Sequence, residues 1–279
     1  MPSLPVIEPR DVRHAASAPD GGAFDAPIVG HQDVAHADYL QRLGDDSLVL
    51  GQRLSEWCGH APALEVDLSL ANIALDLIGQ ATNFLGFAGA SLGRDADQLA
   101  FHRDILDYRN CLLVEQPNGD FAQTMVRQLL FSTWQHLLLT ALAGSSDPDI
   151  AAVAAKGVKE VAYHRELAAD WTIRLGDGTE ESAQRMARGL DWCWRFVPEL
   201  FEVDDVLQGL IERGIAADPR LFEDQYRGDI GRVLAEAKLA QPVDQRPILG
   251  GRRGHHSEHL GHLLAVLQHL ARSHPGAIW

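Results

Sequence analysis

The stretch KEVAYHRELA, residues 159–168, comes within one residue of a metal-binding pattern. Diiron carboxylate bundles draw ligands from Glu-x-x-His, because residues i and i+3 share a helix face and reach the same iron. His164 stands at the histidine position, but the residue three before it is Val161. Glu160 is one step too early, so it is displaced by about 100° around the helix axis. A second Glu-x-x-His belongs on another long helix, and DLIGQ is the matching stretch. There Leu77 and Gln80 occupy the glutamate and histidine positions. Moving the register so that Asp76 serves as the acid puts Gly79 where histidine is needed. Asn72, Asp76, Gln80 and Asn83 leave a polar stripe on that helix, either the hydrogen-bonded remnant of a metal centre or a solvated face.

A second cluster lies near the C-terminus, in GGRRGHHSEHLGHLLAVLQHL. His259 and His262 have i,i+3 spacing, which suits zinc, and His255, His256 and His269 stand close by. The bland alternative is a solvated helix capped by Ser257. Arg252 and Arg253, in a glycine-rich loop, are candidate contacts for a phosphate or a partner carboxylate. Trp171, Trp192, Trp194, Phe196 and Phe201 read as core or interface anchors. A nucleophile elbow, a phosphate-binding loop and a dinucleotide fingerprint are all missing.

The elements that position these residues are helical throughout. The apolar residues Val66, Leu70, Ile73, Leu77, Ala81, Phe84 and Ala88 recur every three or four positions, predicting one long helix across 63–93. Before it, ADYLQRLGDDSLVLGQRLSEW predicts another helix, and a shorter one is expected over 95–112. Pro117 and Asn118-Gly119 break the chain, after which Asp120 is the expected N-cap, with Gln123 completing a capping box, of a helix running to Gly144. Asp147 and Pro148 start the helix that carries His164, and Gly176 is its expected left-handed terminator. Further helices are expected near 179–200, 203–213, 219–239 and 257–273. The fold class is all-α: a four-helix bundle with additional C-terminal helices, residues 31–279 forming one domain behind a loose extension over 1–30.

Bulk properties narrow the function. The 279 residues are 46% hydrophobic, enough for a packed core. A formal charge of −15 repels a phosphate backbone, which argues against nucleic acid. No apolar run approaches the ~18 residues of a membrane span, and the N-terminus lacks a signal-peptide core. Three scattered cysteines, Cys58, Cys111 and Cys193, fit reduced thiols in the cytoplasm.

Four blocks together resemble a known family: RLGDDSLVLGQRLSEWCGHAPALEVDLSLANIALDLIGQATNF, LLVEQPNGDFAQT, KEVAYH and GGRRGHHSEHLG. They are similar to the C subunits of phenylacetyl-CoA 1,2-epoxidase, a ring-oxygenating complex, and the similarity runs from about residue 36 to Trp279. The resemblance implies a ferritin-like fold and a structural role beside a homologous catalytic A subunit that holds the diiron centre. It further implies a small B subunit and a reductase passing electrons from NADPH through flavin and an iron–sulfur cluster, with no cofactor in this chain. No catalytic residue carries over, because Leu77, Gln80 and Val161 are the wrong side chains and only His164 is retained. Two other readings stand beside this one. The first is an independently active diiron or mixed-ligand oxidase using His164, Glu160 and Asp76. The second is an adaptor that contacts phosphate or coenzyme A through Arg252 and Arg253.

Overall fold

The computed structural model describes residues 31–243 and 245–277; the expected extension over 1–30 lies outside them. Among the described residues there are helices and 3₁₀ turns and no strand. Four long helices dominate: α1 (His31–Ser55), α2 (Leu64–Leu92), α5 (Phe121–Leu142) and α6 (Pro148–Gly176). Between α2 and α5 lie α3 (Ala96–Phe101), a 3₁₀ turn and α4 (Leu112–Glu115). After α6 come α7 (Glu180–Trp194), α8 (Asp205–Glu212), α9 (Glu223–Glu236), α10 (Glu258–Leu267) and α11 (His269–Ser273).

Glycines set how closely α1 approaches α2. A Cβ at Gly44 would lie 2.7 Å from Leu85, and one at Gly51 would lie 3.2 Å from Ile78, so the two backbones meet where side chains are absent. Helix α5 is apolar around most of its circumference, with Met125, Val126, Leu130 and Phe131 wholly buried, and therefore forms the centre of the molecule. It packs against α6 on one side and is covered by α7 and α9 on another. Contacts of Gln80 with Glu160 and Gly157, and of Asp76 with His164, show α2 and α6 running antiparallel. Since α5 is antiparallel to α6, it runs parallel to α2. The connection over 93–120 must then return along the length of the bundle, as in ferritin-like folds.

That return explains why 95–112 is not the single helix the sequence predicts. Asp45 and Asp46 on α1 are buried and take their hydrogen bonds from the crossover. Asp45 pairs with Arg103 and accepts from the Arg109 amide at 2.8 Å; Asp46 accepts from the Cys111 amide at 2.7 Å. Glu199, in the turn after α7, accepts from the Leu112 amide at 2.6 Å. These carboxylates satisfy buried backbone donors that a continuous helix would have bonded internally. The crossover is thus held in short pieces.

Other local expectations divide. Asp147 caps α6 through the amides of Asp149 and Ile150, with Pro148 in the first turn. Asp120 caps α5, but Gln123 donates to the Pro117 carbonyl at 3.0 Å instead of completing a capping box. Gly176 is the last helical residue rather than a left-handed terminator. Its lack of a Cβ serves close packing, since one would sit 2.5 Å from the Ala237 carbonyl. Ser257 sits at the N-cap of α10 without a side-chain capping bond, and its amide donates to Glu115 instead.

Candidate functional site

The seam between α2 and α6 is where two Glu-x-x-His motifs would face a metal pair. Leu77 and Val161 are both fully buried, so the two carboxylate positions are filled with hydrocarbon inside the core. Gln80 lies at the corresponding histidine position on α2. Its amide donates to Glu160 at 3.0 Å and accepts from Gln135 of α5 at 3.0 Å, linking three helices. Glu160 also pairs with the exposed Lys156 at 3.2 Å. His164 is fully buried, and its Nε2 donates to Asp76 at 3.0 Å at the partly exposed edge of the seam. Burial lowers the His164 pKa, against the opposing pull of Asp76, which describes a neutral ring. Its Nδ1 is buried without a partner among the described residues.

This donor set does not fit a dinuclear iron centre. Such a centre needs carboxylates that converge between helices, and here Glu160 and Asp76 each bond to a separate partner along the seam. Among the described residues no three His, Cys, Asp or Glu side chains come close enough together to hold a metal ion. The polar stripe of α2 divides accordingly: Asp76 and Gln80 are hydrogen-bonded across the seam, whereas Asn72 and Asn83 are exposed. Sequence reasoning missed Gln135. Its only signal is an amide amid the apolar run of α5, at a spacing no motif describes.

The chain is similar to known proteins. A family model described as "Phenylacetic acid catabolic protein" matches residues 27–279. The chain belongs to this family. It is also 49% identical over 242 residues to the C subunit of the 1,2-phenylacetyl-CoA epoxidase of Escherichia coli (strain K12), covering 86% of this chain and 98% of that one. The all-α, ferritin-like architecture described above is therefore that of a phenylacetic acid catabolic protein.

In this member of the family the Arg/His segment is turned inward. Arg252 keeps only 12% of its side chain exposed, and its guanidinium donates to Asp46 at 2.7 Å and to the Arg109 carbonyl at 3.0 Å. Burial works against its charge, but Asp46 beside it holds the Arg252 pKa up. Gly250 and Gly251 donate to Glu199 at 2.8 and 2.7 Å, and Gly250 takes φ 139°, open chiefly to glycine. Burial pushes the Glu199 carboxyl up, while amides from Leu112, Gly250 and Gly251 pull it down. Arg253 alone of the two arginines reaches the surface, where it pairs with Glu202 at 2.5 Å.

His256 is clamped at both ring nitrogens, to Glu115 at 2.8 Å and to the Tyr108 carbonyl at 3.0 Å. Glu115 is wholly buried and further accepts from Asn110 and the Ser257 amide. His259, His262 and His269 are not brought together with it into a ligand set. The loop is thus a latch that joins the crossover, α1 and the C-terminal helices through buried polar contacts. Its acidic partners, Asp46, Glu115 and Glu199, lie far away in sequence, where no local pattern marks them.

Proposed function

We propose that this chain is a non-catalytic, structural subunit of a phenylacetyl-CoA 1,2-epoxidase complex. It acts beside a homologous A subunit that carries the diiron centre in aerobic phenylacetate breakdown, in the cytoplasm. The small B subunit and a reductase supplying electrons from NADPH through flavin and iron–sulfur chemistry are the remaining partners. The observation that carries this reading is the burial of Leu77 and Val161 where a diiron protein needs glutamates. Supporting it is the likeness to a protein named as an epoxidase subunit.

The outer face of α2 supports a role in assembly. Leu64, Leu68 and Leu75 are 71%, 57% and 66% exposed. From Leu68 to Gly93, Asp76 is the one charged residue, and it is paired with His164. Gly79 and Gly86 lie on or beside the same helix face with open space where a Cβ would stand. A long, nearly uncharged helix face on a chain of charge −15 suits a protein partner better than water. Burying such a face can stiffen a sister bundle around its own metal ligands.

Co-expression tests the proposal. The A subunit made without this chain is expected to be poorly soluble or inactive, and activity should return when the chain is supplied. An A subunit that epoxidises phenylacetyl-CoA alone at full rate would overturn it. Iron analysis of the isolated chain separates the oxidase reading: two irons per chain would favour catalysis by His164, Glu160 and Asp76.

A further inference from the structure

Where α1, α5, the 3₁₀ turn at 197–201 and the latch loop meet, the chain forms a cavity of about 40 Å³. Its polar lining comes from Tyr39, Arg42, Trp134, Glu199, Glu202 and Arg252. Three of these have donors or acceptors already committed elsewhere. Arg42 pairs with Asp38 and Asp204, Arg252 with Asp46, and Glu199 with backbone amides. Each of the other three has one polar atom left over. Trp134 Nε1, the Tyr39 hydroxyl and Glu202 Oε2 are buried atoms without a well-formed hydrogen bond among the described residues. The Ala217 amide approaches the Tyr39 hydroxyl, but an amide can only donate, so the O–H still lacks an acceptor. Trp134 and Tyr39 are each only 4% exposed, so bulk water does not serve them.

The chemistry of the unpaired atoms selects the ligand. Trp134 Nε1–H can only donate, so its partner must accept. Glu202 Oε2 as a carboxylate oxygen can only accept, so its partner must donate. A simple cation answers the second need and fails the first; a simple anion does the reverse. Water does both. Size agrees: a water needs roughly 10–15 Å³ of space, so the cavity has room for at least one molecule.

We propose that this cavity is an internal hydration site, in which one or two ordered waters bridge Trp134 Nε1, the Tyr39 hydroxyl and Glu202. The waters tie α1 and α5 to the turn on which the latch loop is anchored through Glu199. Arg253 donates to the other oxygen of Glu202, which leaves Oε2 for the waters.

A high-resolution crystal structure of the full chain tests this directly. Ordered density within about 3.2 Å of Trp134 Nε1, with a second contact to Glu202 or Tyr39, is expected. An empty cavity, a Glu202 rotated to fill it, or xenon bound there under pressure would overturn the proposal, since xenon marks dry apolar space. In Trp134→Phe the density nearest position 134 should disappear; its persistence in place would show that the indole does not hold it. Tyr39→Phe provides an independent variant, in which the density contacting the hydroxyl should weaken while the rest stays.

Discussion

Substituting Leu77→Glu restores the carboxylate that a Glu-x-x-His motif would place on α2, and its cost can be worked out from the site. Leu77 is 0% exposed, so the change forfeits roughly 1.5–3 kcal/mol of apolar burial. A fully buried glutamate without a paired cation takes a pKa of about 8–9. Its unfolded pKa is about 4.3. Between these values the folded state binds the extra proton, so stability must fall as pH rises, by about 1.36 kcal/mol per pH unit. The charge-related cost is then ~1.6 kcal/mol at pH 5.5 and ~3.7 kcal/mol at pH 7. With the lost packing, the total comes to roughly 5–7 kcal/mol at neutral pH. Urea unfolding of variant and wild type at pH 5.5, 6.25 and 7 measures the difference at each point. A difference that stays constant across this range would refute the reasoning, because the glutamate would then be ionised in the fold and position 77 would not be sealed.

Arg252→Ala should cost about 3–5 kcal/mol in denaturant unfolding, because it strands Asp46 in the core, whereas Arg253→Ala at the surface should cost less than about 1 kcal/mol. Equal effects would contradict the inward latch. His256→Ala should likewise destabilise by about 3 kcal/mol by leaving Glu115 buried without its main partner, with His256→Gln recovering part of the loss; a neutral alanine variant would count against the clamp. For His164, a depressed folded pKa means the unfolded chain binds the proton more readily, so stability is full above about pH 6.5 and declines as pH falls below it. Asp76→Asn should steepen that acid-side loss and His164→Gln should remove it, as read from urea midpoints at pH 8 and pH 5.5. Leu75→Asp, on the exposed face of α2, should change the stability of the isolated chain by no more than about 0.5 kcal/mol yet abolish co-purification with the A subunit; retained co-purification would place the interface elsewhere.

The long helices are legible in the sequence because their signal is local. The three-and-four spacing in α2 and the Asp147-Pro148 start of α6 each encode an element within a few residues. The displaced ligand pattern is legible for the same reason, since i and i+3 relations hold on any helix. The crossover is not. Residues 95–112 have helical composition, yet their hydrogen bonds go to Asp45, Asp46 and Glu199, each more than 50 residues from its partner and following no period. Arg252 defeats a local reading in the same way: a pair of arginines in a glycine loop reads as an anion site until a buried aspartate 206 positions earlier is found to hold one of them. Distant polar pairing is set by tertiary geometry, and a single sequence carries no marker for it.

Two features meet in this chain, and both bear on how a bundle with this seam is stabilised. At the centre, neutral or apolar groups stand at three of the four Glu-x-x-His positions: Leu77, Val161 and Gln80, whose amide accepts from Gln135. Clustered carboxylates without metal would repel one another and carry a desolvation cost, so a bundle without them is the more stable one. At the end near the latch, buried polar pairs join Asp46 with Arg252, Asp45 with Arg103 and Glu115 with His256. A mere relic has no reason to retain those pairs, because hydrophobic replacements of similar volume are often as stable. Their geometry fixes how the crossover and the C-terminal helices sit against α1. The proposed structural role, in which a fixed surface is presented to a partner, would draw on that fixity rather than on an interior able to bind iron.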